Sequence, residues 1–287
     1  MPDNNIMPSD QHQSLCANCG TPLEGRWCGQ CGQKALSESD RRFGHVLGQF
    51  VHELLHVEGK LPRTLGALIF KPGLPSQAYL EGRRVIYLSP IGLFLLINLL
   101  YFIAPPMTDF NVTLDDQYHM QPYSALIQPM IDARLDTREV GFSDYAERYN
   151  QLNLNLARSL IILHLPLLAL ALKLMLIRRP TYFAEHFIVA THLFTFLLVL
   201  VLVLYPTTWL IIWLGQAAFD VDLIDLFRVL WRGFPLVIII HWLLSLRRCY
   251  QLSWLITIAV TIGLTVATVI SHFIFRLVQF LAVFAAT

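Results

Sequence analysis

Long apolar runs separated by short polar breaks fill the chain after residue 85, whereas the first 60 residues are polar or amphipathic. A helix needs roughly 20 apolar residues to cross about 30 Å of hydrocarbon, and inside lipid its backbone must satisfy its own hydrogen bonds. Five such spans are predicted, over residues 86–104, 157–177, 183–204, 229–246 and 254–275. Pro105-Pro106, Arg178-Arg179-Pro180, Tyr205-Pro206 and Arg247-Arg248 end the first four. The last apolar run continues to the end of the sequence, about 50 Å as helix at 1.5 Å per residue, so tilt or an interfacial tail after His272 is expected. The fold class is therefore an all-α polytopic membrane protein, with a bundle of about five transmembrane helices over residues 85–287.

Upstream the pattern changes twice. Residues 1–15 carry no periodicity and read as a disordered N-terminus. Over residues 41–84 the apolar positions Phe43, Val46, Leu47, Phe50, Val51, Leu54 and Leu55 recur at helical spacing, with His45, Gln49, His52 and His56 opposite. This predicts an amphipathic helix which, with Leu61 to Phe70, lies on the membrane surface or against the bundle.

Composition agrees with lipid as the solvent: only 14% of residues are charged and mean hydropathy is +0.53, where soluble domains carry about 25% charge. The formal net charge of +1 leaves no basic stripe for phosphates, which excludes nucleic acid as a partner. The first fifteen residues hold no apolar core of a secretory signal, so the first span is expected to direct insertion. Arginine pairs at 83–84, 178–179 and 247–248 fall on one side of the five-span layout. Residues 105–156, with eight acidic residues and three arginines, fall on the other as an acidic extracytoplasmic loop. Positive flanks stay in the cytosol, so the N-terminus is predicted to be cytosolic.

Four of the five cysteines form two knuckles, Cys16-Ala-Asn-Cys19-Gly20 and Cys28-Gly-Gln-Cys31-Gly32. The three-residue step aims both sulfurs at one point, and the glycine permits the positive φ that turns the chain back. Disulfides do not fit a reducing compartment or the tight C-x-x-C geometry. The chemistry points to a structural four-cysteine zinc site over residues 16–34, a minimal zinc ribbon, with iron as the competing ion. Four thiolates leave no open position for a substrate.

Two further constellations carry candidate chemistry. His52-Glu53-Leu54-Leu55-His56 matches a metalloprotease pattern in which the histidines bind zinc and the glutamate is the base. No third ligand follows it, so a solvated helix face is the better account of it. In the third span, Tyr182, Glu185 and His192 share a helical face, with His186 beside it and His241 at the same depth on the fourth span. Ionisable groups in lipid are costly and turn inward, so these five are a candidate metal, proton or ligand site, or else a set of interhelical hydrogen bonds.

Several motifs in order resemble a bacterial membrane family, domain of unknown function 3667. They are Cys19-Gly-Thr-Pro-Leu, Trp27-Cys-Gly-Gln-Cys-Gly-Gln33, Thr64-Leu, Lys71-Pro-Gly73 and Tyr79-Leu-Glu-Gly-Arg-Arg84 with Tyr87 and Pro90. Leu165-Pro166, Leu172-Lys173, and Tyr182 with Glu185-His186 and His192 complete the set. The resemblance implies a zinc-ribbon-headed bacterial inner-membrane protein with no assigned activity. It marks Arg83 and Arg84 as a signature turn, suited to lipid-headgroup contact.

The functional expectation is a non-enzymatic, multi-pass inner-membrane protein whose cytosolic head binds a protein partner, as scaffold or sensor. One alternative is a small-solute, ion or proton transporter subunit using the Glu185, His192 and His241 cluster. The other is a membrane metalloenzyme built on His52, Glu53 and His56.

Overall fold

The computed structural model describes residues 15–35, 59–103, 110–219 and 224–287. The amphipathic segment upstream of residue 59, including His52, Glu53 and His56, lies outside the described residues, as does the N-terminal stretch before residue 15.

The body begins with a short hairpin. Helix α1 (Leu61–Phe70) carries Pro62 in its first turn and stops at Lys71, whose backbone leaves the helical region as the following proline favours. Gly73, at φ 75°, turns the chain into α2 (Leu74–Leu80). That helix closes in a Schellman cap: Arg83 N–H donates to Ala78 C=O (2.8 Å) and Gly82 N–H to Tyr79 C=O (3.1 Å), with Gly82 at φ 89°. The Ser89 side chain accepts from Gly92 N–H (3.3 Å) and Pro90 opens α3 (Pro90–Ile103).

Three short or amphipathic helices follow, α4 (Leu114–His119), α5 (Ser124–Arg138) and α6 (Phe142–Leu160). A single 3₁₀ turn (Ile161–Leu163) joins α6 to α7 (His164–Met175), making one helical rod. Three long helices complete the chain: α8 (Phe183–Phe219), α9 (Ile224–Tyr250) and α10 (Trp254–Ala286).

Helix α8 is the central post. It packs against α3, α7, α9 and the α1–α2 hairpin, while α10 runs along α6, α7 and α9. Phe94, Leu168, Leu172, Leu193, Trp242 and Leu264 are among the side chains that fill the interior. Among the described residues, three helical segments are long and apolar enough to cross a membrane: Phe142–Met175, Phe183–Ala218 and Trp254–Ala286. Within their most apolar windows the second is 67% buried but the first and third only 33% and 28%. Leu255 is 80% exposed and Ile262 60%. Exposed apolar surface of this extent, along α10 and on α7 at Leu170 and Leu174, calls for hydrocarbon around it.

The sequence expectation needs correcting in four places. Within the described residues the predicted first span is a helix of 14 residues that starts at Pro90, not residue 86, about 21 Å at 1.5 Å per residue. The supposed loop 105–156 is helical from Leu114 onward, and the second span is the far half of a rod that begins at Phe142. Its helices α4, α5 and α6 close over a second core of Leu114, Ile127, Ile131, Tyr145, Tyr149, Phe280 and Val283, which we call the cap. Of the two expectations for the run after His272, no separate tail forms: α10 stays one helix to Ala286 and its end enters that cap core.

The fourth correction concerns Pro206, which does not end the third span, because α8 passes through it to Phe219. A proline removes one N–H and crowds the preceding turn. Here the Thr207 hydroxyl donates to Val203 C=O (2.7 Å) and the Thr208 hydroxyl to Leu204 C=O (2.7 Å), which braces the turn before the proline but does not serve Leu202 C=O, the carbonyl that its missing N–H would have met.

Candidate functional site

The cysteine head is built from two equivalent turns. In the first, Gly20 N–H donates to Cys16 C=O (2.8 Å) and Cys16 N–H to Thr21 C=O (2.9 Å). In the second, Gly32 N–H donates to Cys28 C=O (2.9 Å) and Cys28 N–H to Gln33 C=O (2.8 Å). Gly20 and Gly32 sit at φ 74° and 70°, the conformation for which each knuckle requires glycine. The turns bring Cys16 Sγ to 3.6 Å from Cys31 and Cys19 Sγ to 3.5 Å from Cys28, and all four sulfurs lie within 4.8 Å of one another.

A tetrahedron with metal–sulfur bonds of about 2.3 Å has edges of roughly 3.8 Å, so the tetrad fits one metal ion. The Thr21 hydroxyl, 3.3 Å from Cys19 Sγ, and the Thr21 backbone draw the Cys19 thiol down to about 6, which favours the thiolate that a metal binds. Among the described residues this tetrad is the only group of three or more metal-ligating side chains close enough to share an ion.

The head is tied to the body through one side chain. Gln33, 4% exposed, donates from Nε2 to Gly82 C=O, and its Oε1 accepts from Arg84 N–H (3.1 Å). A buried amide engaged on both ends against alternate backbone groups acts as a one-residue strand pairing. Gln33 is positioned by the second knuckle, and Gly82 by the Schellman cap of α2. The Arg83 guanidinium pairs with Glu81, and that of Arg84 lies 4.8 Å from the centre of the Tyr79 ring.

The α1–α2 hairpin is in turn pinned by α8 and α9. His241, Ser245, Arg248 and Cys249 recur at helical spacing along α9 and meet the backbone of the hairpin. His241 Nε2 donates to Leu68 C=O (2.8 Å), Arg248 Nη1 to Pro72 C=O (2.8 Å) and Cys249 Sγ to Gly73 C=O (3.5 Å). Gly73 comes so near that a Cβ there would lie 2.8 Å from Ser245 O. From α8, His192 Nδ1 sits 2.8 Å from Ser76 Oγ on α2.

The predicted intramembrane residues therefore have separate partners. His192 meets Ser76, and His241 meets Leu68 and stacks on Phe196 with ring centres 3.4 Å apart. His186 bridges Thr181 Oγ1 (2.7 Å) and Tyr250 OH (2.8 Å). Glu185 is half-buried and Tyr182 is 56% exposed. Sequence reasoning did not single out Ser76, took Gln33 only as the end of a motif and Arg248 only as a topology-setting charge, and gave none of them a docking role. Gln33 had a legible signal, because it holds in the second knuckle the place that Thr21 holds in the first. Ser76 and Arg248 had none, since their partners lie far away in sequence.

Residues 58–102 match a family model described as "Protein of unknown function (DUF3667)". That stretch coincides with the pinned hairpin, the turn that receives Gln33, and α3. No curated protein and no solved structure matches the chain.

Proposed function

We propose, for a chain whose residues 58–102 belong to the DUF3667 family of proteins of unknown function, that it is a membrane-anchored adaptor. Its metal-stapled head is the contact point for a protein partner. The observation that carries the reading is the Gln33 clamp, through which the head is seated on the α2–α3 turn instead of hanging from a linker. The ion is zinc, held by Cys16, Cys19, Cys28 and Cys31, with structural chemistry only, since four thiolates leave no site for substrate.

The contact surface is the pair Leu15 and Trp27, each 63% exposed and each directly preceding the first cysteine of its knuckle. Exposed tryptophan on a rigid turn is the residue type on which protein interfaces concentrate their binding energy. The arginine-rich end of the bundle faces the cytosol of a bacterial inner membrane, in agreement with the positive-inside rule. His186 spends both ring nitrogens on Thr181 and Tyr250, and His192 and His241 each spend one on the hairpin; these separate partners favour this reading over transport.

A photo-crosslinking residue at Trp27, introduced into the full chain in native membranes, tests the proposal. The expected product is a discrete protein adduct that disappears when a chelator removes the metal. Adducts to lipid alone, or a protein adduct indifferent to chelation, would overturn it. Proteoliposomes carrying Glu185→Gln or His192→Ala test the transport alternative: a proton or metal flux lost in these variants would replace the adaptor reading.

A further inference from the structure

Between α3, α7, α8, α9 and α10, next to the cap, lies a cavity of about 430 Å³. Its wall is largely aromatic, with Phe194, Tyr205, Trp231 and Phe234 joined by the imidazoles of His164 and His272. Val269, also in the wall, is 53% exposed, so the cavity opens through the outer apolar face of the bundle. A concave apolar site of this size with a few polar groups is the usual form of a small-molecule pocket.

His164 gives the pocket its chemistry. The residue is 1% exposed, and its Nδ1 lies 3.0 Å from Ile161 C=O. A carbonyl only accepts, so the ring proton is on Nδ1, and Nε2 is a bare lone pair with no hydrogen-bond partner. The ring stacks on Phe194 (centres 4.7 Å apart, planes at 18°) and meets the edge of Phe110 (5.7 Å), which fixes its orientation. A buried acceptor left unpaired is costly, so what satisfies it must supply a donor.

We infer that this cavity binds a hydroquinone-headed membrane lipid, the chemical class of the isoprenoid quinols. The flat ring stacks among the aromatic walls, a hydroxyl donates to His164 Nε2, and the tail leaves past Val269 into lipid. The oxidised quinone presents carbonyls in place of hydroxyls and offers this lone pair no donor. The site therefore selects the reduced form. No electron transfer is assigned to it, only binding. The inference is independent of the adaptor reading, since it uses neither the head nor the hairpin.

The test uses the purified full chain in phospholipid nanodiscs under anaerobic conditions, with a decyl-substituted benzohydroquinone as probe and empty nanodiscs as reference. Saturable one-site binding is expected. It should weaken about tenfold when both hydroxyls are methylated, the size of one good hydrogen bond. His164→Phe should abolish the difference between the two compounds. Val269→Trp, which fills the opening and leaves His164 in place, should prevent binding of both while thermal unfolding stays unchanged. Absence of saturable binding, equal affinity for the methylated compound, or a difference that persists in His164→Phe would each overturn the proposal. If His164→Phe does not fold, the two compounds on the unaltered chain and the Val269→Trp variant decide.

Discussion

Ser76 and His192 form the smallest unit on which the docked hairpin depends. Both are buried, at 2% and 3% exposure, and the hydroxyl and the ring nitrogen have no water to fall back on. Ser76→Ala is expected to destabilise the protein by about 1–3 kcal/mol, the cost of an orphaned buried partner. Adding His192→Phe should cost less than the sum of the single changes, as measured by thermal unfolding in detergent and a double-mutant cycle. Strict additivity would mean that the two groups do not interact. Gly73→Ala is expected to be harsher, about 2–4 kcal/mol, because it combines a left-handed φ with a Cβ forced against the α9 backbone. Loss of native migration in size-exclusion chromatography would report the same defect.

Among the elements, the head and α8 show what a sequence makes legible and what it conceals. The cysteine tetrad was readable because its rule is local: two C-x-x-C-G turns determine where four sulfurs go. The same locality predicts that chelation, or Cys16→Ser, frees Gln33 and exposes the Gly82–Arg84 turn. Hydrogen exchange at Arg84 N–H should rise by at least about tenfold on metal removal, while α8 and α10 stay protected. Unchanged protection at Arg84 would show that the clamp survives without the metal.

Pro206 was misleading for the opposite reason. Its missing N–H is evident in the sequence, but the continuity of the helix depends on how neighbouring helices pack and on the hydroxyl bonds of Thr207 and Thr208 to the preceding turn, which a residue pattern does not encode. Replacing both threonines by valine is expected to destabilise α8 by about 1–2 kcal/mol in total, at the modest value that hydrogen bonds have within membranes. Thermal unfolding of the double variant in detergent checks this. Equal stability to the unaltered chain would assign the continuity of α8 to neighbouring helices alone. The histidines fall between these cases. Their burial followed from the cost of polar groups in lipid, but, Thr181 apart, the partners of His186, His192 and His241 are backbone and hydroxyl groups brought from 64 to 173 residues away.

For the whole molecule, the bundle and the cap are separate cores joined through α10. The apolar runs announced the bundle. The cap was hidden because α4, α5 and α6 are polar on average, and only their buried stripes reveal a core once α10 arrives to cover them. Phe280, fully buried beside Tyr149, is the arriving residue. Phe280→Ala is expected to cost about 3–5 kcal/mol, in line with other large-to-small aromatic changes. Hydrogen exchange should place the loss in α4, α5 and α6 and leave the hairpin and head protected. Uniform loss throughout the chain would instead mean that the two cores are a single cooperative unit.

The far end of α10 also sets a schedule for the ribosome. The cap stripes on α4 to α6 are synthesised early, but Phe280 and Val283, which cover them, come more than a hundred residues later. At synthesis rates of about 5–20 residues per second, that is a wait on the order of 10 s. Throughout it, Ile127, Ile131 and Tyr149 lack the Phe280 and Val283 side chains that complete their core. A nascent chain stalled inside α10 would thus hold an inserted bundle beneath an open, adhesive cap, the state in which a chaperone or a protease would meet it.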